Sequence, residues 1–186
     1  MLFRIRAGLP PYGSPAHGFP TSFERIGREG YVVEFLPDTP DAWIGNFAPG
    51  LGSYDGVCVH PNATDIVVFA SGQGYVVDPQ TRELKKEIGG AVDHLWPVAD
   101  PPGFVLDRQG IAFFRIGPHG TYSHTRRLSW DGFKDVAFTD ARIAGLAWTP
   151  VGERWVPFEV ELATGRSRGG AYSSADAEDW EQLAGT

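Results

Sequence analysis

The chain has 186 residues, 42% of them hydrophobic, and a formal net charge of −7. A chain of this length is most simply one domain. Its acidity argues against nucleic-acid binding, because phosphate contacts need clustered Lys and Arg. No apolar run approaches the ~18 residues of a membrane span, and the first residues do not form a signal peptide, so we expect a cytoplasmic protein. Cys58 is the only cysteine, which excludes an internal disulfide, and its apolar neighbours predict a buried, inert thiol.

Glycine and proline punctuate the whole chain, with 24 and 15 residues respectively. This frequency is typical of many short strands and turns rather than of long helices. Residues 8–20 contain four prolines and three glycines, which predicts a loop of fixed shape. Phe47–Gly56 is predicted to be a second loop.

A unit of about forty residues recurs along the chain. Tyr31, Tyr75, Ile111 and Trp155 each open a predicted strand just after a turn that contains glycine, at spacings of 44, 36 and 44 residues. The first strands of the later units are predicted at Val57–His60, His94–Val98 and Asp135–Thr139. Periods near 40 with several strands each indicate a repeat array.

Several of these strands are apolar on both faces. They are Ile66–Ala70, Phe104–Leu106, Ile111–Phe114 and Val136–Phe138. A two-layer sandwich covers one face of each strand, whereas stacked sheets cover both, so these runs favour stacked sheets. Polar segments follow the third strands and are predicted to be charged outer strands: Leu84–Glu87, Thr125–Arg127 and Thr164–Arg168.

The strand Trp155–Leu162 has a different pattern, since apolar and polar residues alternate along it. Pro157 lacks a backbone donor, which places this strand or its neighbour near a sheet edge. Residues 173–186 carry four carboxylates and are predicted to be an acidic tail, either a short helix or disordered.

The repeat resembles the blades of β-propellers over residues 22–170. The resemblance implies an all-β fold, a small propeller-like array of about four antiparallel four-stranded units. Met1–Ala7 would close the ring by pairing with the last unit. A β-sandwich or barrel is the alternative. The predicted boundaries are a single β domain over 1–172 and the tail over 173–186.

No catalytic motif is present, so the sequence predicts no catalytic residue, no cofactor and no metal site. Aromatic residues beside turns, together with nearby carboxylates, instead suggest contacts with another protein, since aromatic side chains anchor such interfaces. The alternative is that the aromatics cap the ends of the core. The predicted partner-binding residues are Trp43, Tyr54, Asp55, Trp130, Asp131, Asp135 and Glu161.

Three functions fit these observations. The first is a non-enzymatic protein-binding module, similar in composition to bacterial immunity or inhibitor proteins that cover the active site of a toxin, with a basic partner. The second is a carbohydrate-binding or glycoside-hydrolysing protein that uses Glu159 and Glu161. The third is a scaffold subunit of a larger ring. The sequence leaves the oligomeric state open.

Overall fold

A computed structural model describes residues 2–37, 42–100, 102–139 and 141–172. The chain divides into two compact units, Met1–Val92 and Asp93–Thr186. The predicted tail over 173–186 lies outside the described residues. The division into one β domain over 1–172 stays a prediction.

The described chain is nearly all β, with four four-stranded sheets that confirm the predicted propeller-like array. The second, third and fourth sheets are antiparallel throughout. The first sheet contains one parallel pair, so the prediction of wholly antiparallel units is wrong there. The only helix of four residues or more in the described part, α1, spans Thr21–Glu24. No helix among the described residues is long and apolar enough to cross a membrane.

The first unit contains two sheets, ordered β1-β3-β4-β2 and β5-β6-β7-β8. The first sheet consists of β1 (Phe3–Arg6), β2 (His17–Phe19), β3 (Tyr31–Phe35) and β4 (Trp43–Phe47). The second consists of β5 (Gly56–Val59), β6 (Ile66–Ala70), β7 (Gln73–Val77) and β8 (Leu84–Gly89).

The strand β1 belongs to the first sheet and not to the last unit, where the predicted ring closure placed Met1–Ala7. It pairs with β3, and Phe3 lies opposite Phe35. The alternation of Phe3 and Ile5 with Arg4 and Arg6 suits an edge strand whose guanidinium groups reach a carboxylate on β3.

The hairpin β6–β7 shows how local sequence sets the second sheet. Ser71 and Gly72 join the strands, and both have positive φ, as a two-residue hairpin turn of type I′ requires. All five residues of β6 are buried, which confirms that Ile66–Ala70 is covered on both faces.

One hydrophobic core serves both sheets of the first unit. Its aromatic members are Phe19, Phe35, Trp43, Phe47 and Tyr75, and the aliphatic residues of β6 and β7 pack with them. Phe35 stacks on Trp43 with ring centroids 4.2 Å apart. These aromatic residues of the first unit are therefore internal.

The second unit also contains two sheets, both simple meanders. The third sheet consists of β9 (Leu95–Val98), β10 (Gly103–Arg108), β11 (Ala112–Ile116) and β12 (Tyr122–His124). The fourth consists of β13 (Phe133–Phe138), β14 (Arg142–Thr149), β15 (Arg154–Glu161) and β16 (Ser167–Gly169). A short 3-10 turn, Pro118–Gly120, precedes β12.

Two strand predictions in this unit are wrong. Val136–Phe138 is not covered on both faces, because β13 is an edge strand whose register shifts between Lys134 and Ala137. Thr125–Arg127 is not an outer strand. The strand is Tyr122–His124, and the Thr125 hydroxyl accepts the Phe113 N–H at 3.0 Å just beyond it.

The alternation predicted for Trp155–Leu162 is confirmed. Phe158 and Val160 are buried, whereas Trp155 and Glu161 are exposed. Pro157 lies on β15, which is next to the three-residue edge strand β16, as the missing donor predicts.

Candidate functional site: an aromatic patch on the second unit

The second unit presents a group of tryptophans at the surface. We call it the tryptophan patch and define it as Arg127, Trp130, Trp148, Trp155 and Tyr172. Trp130 is 47% exposed and Trp155 is 38% exposed. Grouped, exposed tryptophans are candidates for a binding surface, because this residue type is enriched among those that dominate interfaces.

The buried residue Ser129 holds the turn that carries Trp130. Its hydroxyl donates to the Gly132 carbonyl at 2.6 Å and accepts the Trp148 N–H at 3.0 Å. The Trp130 N–H in turn donates to the Trp148 carbonyl at 3.0 Å. Gly132 has a φ of +90°, which suits glycine at the end of this turn. The turn is thereby fixed to β14 by its backbone, and the Trp130 ring extends from a rigid base.

Arg127 connects two of the rings. Its guanidinium lies 5.0 Å from the centroid of Trp130 and 4.9 Å from that of Tyr172, within the range of cation–π attraction. The two rings themselves are stacked, 5.3 Å apart at 16°. Arg127 Nε also donates to the Ser129 carbonyl at 3.1 Å, which holds the guanidinium in place.

Trp148 and Trp155 lie opposite each other on β14 and β15 and meet edge to face, with centroids 5.4 Å apart. Val151, in the hairpin turn that joins the two strands, is 73% exposed. This hairpin adds a second apolar element next to the turn of Trp130.

The neighbouring Arg126 has a structural role. It donates to the Ser167 hydroxyl at 2.9 Å, the Gly169 carbonyl at 2.8 Å and the Tyr172 carbonyl at 3.1 Å. These contacts hold the segment from β16 to Tyr172, and so position the Tyr172 ring of the patch.

The structure brings together only some of the residues predicted to bind a partner. Trp130 and Asp131 belong to the turn at the patch, and Asp131 is exposed. Asp135 is exposed at the irregularity of β13, with a φ of +53°. Glu161, at the end of β15, is exposed and accepts a hydrogen bond from the Thr164 hydroxyl at 2.6 Å.

The predicted residues of the first unit lie in other surroundings. Trp43 is 5% exposed and donates its indole N–H to the Pro79 carbonyl at 2.9 Å, so it belongs to the core. Tyr54 is half-buried against Phe69, and burial raises the pKa of its hydroxyl. Asp55 is exposed and accepts the Ser71 N–H at 2.6 Å.

The sequence prediction of partner-binding residues did not include Arg127, Ser129, Trp148, Trp155 or Tyr172. The string S-W-D-G around Trp130 is a turn signature, and it is the signal that could have identified Ser129. The contacts of Trp148 and Tyr172 depend on strand register and on the path of the chain after β16, for which the sequence carries no local signal.

The carboxylates considered for glycoside hydrolysis lie in a shallow cleft of about 290 Å³. Glu159 forms salt bridges with Arg142 and with Arg168, the latter at 3.2 Å. Glu161 is exposed. A general acid in such enzymes needs a buried carboxyl, whereas Glu159 is paired with two guanidinium groups at the surface. The described residues lining the cleft include no tryptophan, so the geometry does not support this reading.

No group of three or more His, Cys, Asp or Glu side chains among the described residues could hold a metal ion. Burial raises the pKa of the Cys58 thiol to about 12, so the thiolate needed for nucleophilic chemistry does not form near neutral pH.

The chain matches no protein-family model and no curated protein sequence. The solved structures that resemble it include the following two. One is the dihydro-heme d1 dehydrogenase NirN in complex with DHE, at 16% identity and a TM-score of 0.47, covering 79% of this chain and 33% of that one. The other is the β-propeller domain of Cps50 (Swd1) from Myceliophteria thermophila, at 11% identity and a TM-score of 0.43, covering 78% and 55%. The chain thus spans about a third and about half of their lengths.

Proposed function

We propose that this protein is a non-enzymatic module that binds another protein through the tryptophan patch. The observation that supports this most directly is the exposure of Trp130 and Trp155 on a backbone held by the Ser129 hydrogen bonds. Tryptophan, tyrosine and arginine are the residue types enriched among the few that supply most of the energy of an interface. The patch combines all three.

The preorganised side chains of the tryptophan patch also support a role in binding. An interface loses free energy when it must order its own side chains on binding, by about 0.5–1.5 kcal/mol for each flexible one. Trp130 is stacked on Tyr172 and covered on one side by Arg127, so its orientation is set before a partner arrives. A rigid aromatic surface of this kind binds with a smaller entropic cost.

The partner proposed here is a basic protein, and the role is that of an immunity or inhibitor protein which covers a basic enzyme's active site. The net charge of −7 supports a basic partner, because opposite charge accelerates encounter and disfavours acidic competitors. Exposed carboxylates accompany the patch at Asp131 and at Glu153, two residues before Trp155.

Affinity capture from a lysate of the native organism, with variants compared side by side, tests this proposal. A basic protein should co-purify in stoichiometric amount with the wild type and be lost from Trp130→Ala and Trp155→Ala. Each truncation should weaken binding by about 2 kcal/mol or more, roughly 30-fold, measured by calorimetry with the purified partner.

Tyr12→Ala is the matched control, because Tyr12 is an aromatic residue that is 90% exposed in the first unit, outside the patch. It should bind like the wild type. A partner retained equally by all four proteins would reject the patch, and a captured partner whose activity is unaffected by this protein would reject the inhibitor role.

A further inference from the structure

A second feature, independent of the patch, is a cleft in the first unit with a volume of about 490 Å³. We call it the Arg82 cleft. Small-molecule sites occupy clefts of about 300–1,000 Å³, so the size suits a small ligand. The charged and aromatic residues that line it include Arg6, Tyr12, His17, Glu34, Trp43 and Arg82.

Arg82 lines this cleft with a charge that no carboxylate neutralises among the described residues. Its Nη1 lies 3.0 Å from Nε2 of His17, and its guanidinium lies 5.8 Å from the centroid of Trp43. A guanidinium has only donors, so in this contact Nε2 of His17 is the acceptor. The Nε and Nη2 edge has no acceptor within the described part of the chain.

The surroundings hold Arg82 in position. Its backbone N–H donates to the Asp78 carbonyl at 2.9 Å in the turn before β8. Trp43 is fixed by its hydrogen bond to Pro79 and by stacking on Phe35, and the His17 ring meets Trp43 edge to face at 5.5 Å. A guanidinium supported in this way is preorganised for a planar, two-oxygen acceptor.

Arg6 contributes further positive charge. Glu34 accepts from both Arg4, at 3.2 Å, and Arg6, at 3.5 Å, so one carboxylate serves two guanidinium groups. The described lining of the cleft thus carries two cations, Arg6 and Arg82, and one carboxylate, Glu34, in a chain whose net charge is −7. This local excess favours an anionic ligand.

We infer that the Arg82 cleft binds a small organic carboxylate. The two carboxylate oxygens would accept from Nε and Nη2 of Arg82, the geometry in which guanidinium and carboxylate pair most strongly. The carbon skeleton would lie among Tyr12, Pro10 and Pro15 of the loop that forms the cleft wall. No covalent step is involved.

Titration of the full chain with benzoate, followed by two-dimensional NMR at about pH 8 where an ordinary histidine is neutral, tests the inference. We expect saturable shifts of the Arg82 Nε–H and Trp43 indole N–H signals. Arg82→Gln should weaken binding by about 10-fold or more, since it removes a charge-assisted pair, and Arg82→Lys should recover only part of the loss.

Controls separate this site from general charge and from the patch. Arg108→Gln removes an exposed guanidinium in the second unit and should bind benzoate like the wild type, as should Trp130→Ala. Inorganic phosphate is the competing probe. Absence of saturable benzoate shifts, an unchanged affinity in Arg82→Gln, or tighter Arg82-dependent binding of phosphate than of benzoate would each overturn the assignment.

Discussion

The two units contain the same pair of residue types in opposite settings. In the first unit, Arg82 covers Trp43, which is 5% exposed and anchored in the core. In the second, Arg127 covers Trp130, which is 47% exposed on a turn. The contact is similar, but its consequence differs. Burial makes Trp43 a support for the arginine, whereas exposure leaves the Trp130 ring accessible to the proposed partner.

This comparison shows that an arginine on a tryptophan does not by itself indicate a function. The role of the tryptophan depends on whether the rest of its ring is buried or exposed. In the first unit, the Trp43 ring packs into a core shared with Phe35. In the second, the Ser129 hydrogen bonds hold the turn outward and keep the ring in contact with water. Substitutions that separate stability from binding test this difference.

The largest effect is expected for Trp43→Ala. Removing a buried tryptophan leaves a cavity, and the free energy of unfolding should fall by about 3–5 kcal/mol. Trp155→Ala, whose ring is 38% exposed, should cost about 1 kcal/mol or less. Urea denaturation followed by circular dichroism measures both. Equal losses in the two variants would contradict the contrast between the units.

The second prediction concerns Cys58 on β5 in the first unit. The pKa of its thiol is raised by burial to about 12 in the folded chain, so the thiolate is scarce at pH 8. Iodoacetamide should therefore modify the folded protein at least about 100-fold more slowly than the urea-unfolded protein. Because the folded pKa exceeds the unfolded one, this thiol's contribution to stability is lost as pH rises from about 9 towards 12. Similar alkylation rates in the two states would show that β5 is open to solvent.

A smaller loss is expected for Arg126→Ala. This variant leaves the Ser167 hydroxyl and the Gly169 and Tyr172 carbonyls without their donor, and the free energy of unfolding should fall by about 1–3 kcal/mol. Arg108→Ala, at an exposed site on β10, should be near neutral. If Arg126→Ala is equally neutral, the segment after β16 is held by other contacts.

The smallest effect is expected for Glu159→Gln. Its salt bridges to Arg142 and Arg168 are exposed, and exposed pairs contribute about 0–1 kcal/mol. The same denaturation experiment, repeated at high salt, should show little difference between the wild type and the variant. A loss well above 1 kcal/mol would show that this cleft is less solvated than its geometry indicates.

The fold could be predicted from the sequence where the residues of a strand by themselves show whether its faces are buried. The five apolar residues Ile66–Ala70 can be stable only when both faces are covered, and they are. Val136–Phe138 has a similar composition but forms an edge strand, because coverage there depends on which strands lie beside it. Trp43 and Trp130 looked alike in the sequence for the same reason, since both lie beside predicted turns.

By itself, the sequence determined the all-β class, the four repeated units and the turns that separate them. Proline fixes φ and glycine permits positive φ, so both residues mark turns locally, and the period of the apolar residues shows which faces of a strand are buried. Only the tertiary structure decided that β1 joins the first sheet, that Trp43 is internal, and that Trp130, Trp155 and Tyr172 come together. Those facts depend on contacts between residues far apart in the chain. A local sequence pattern does not show which distant residue a given side chain will contact.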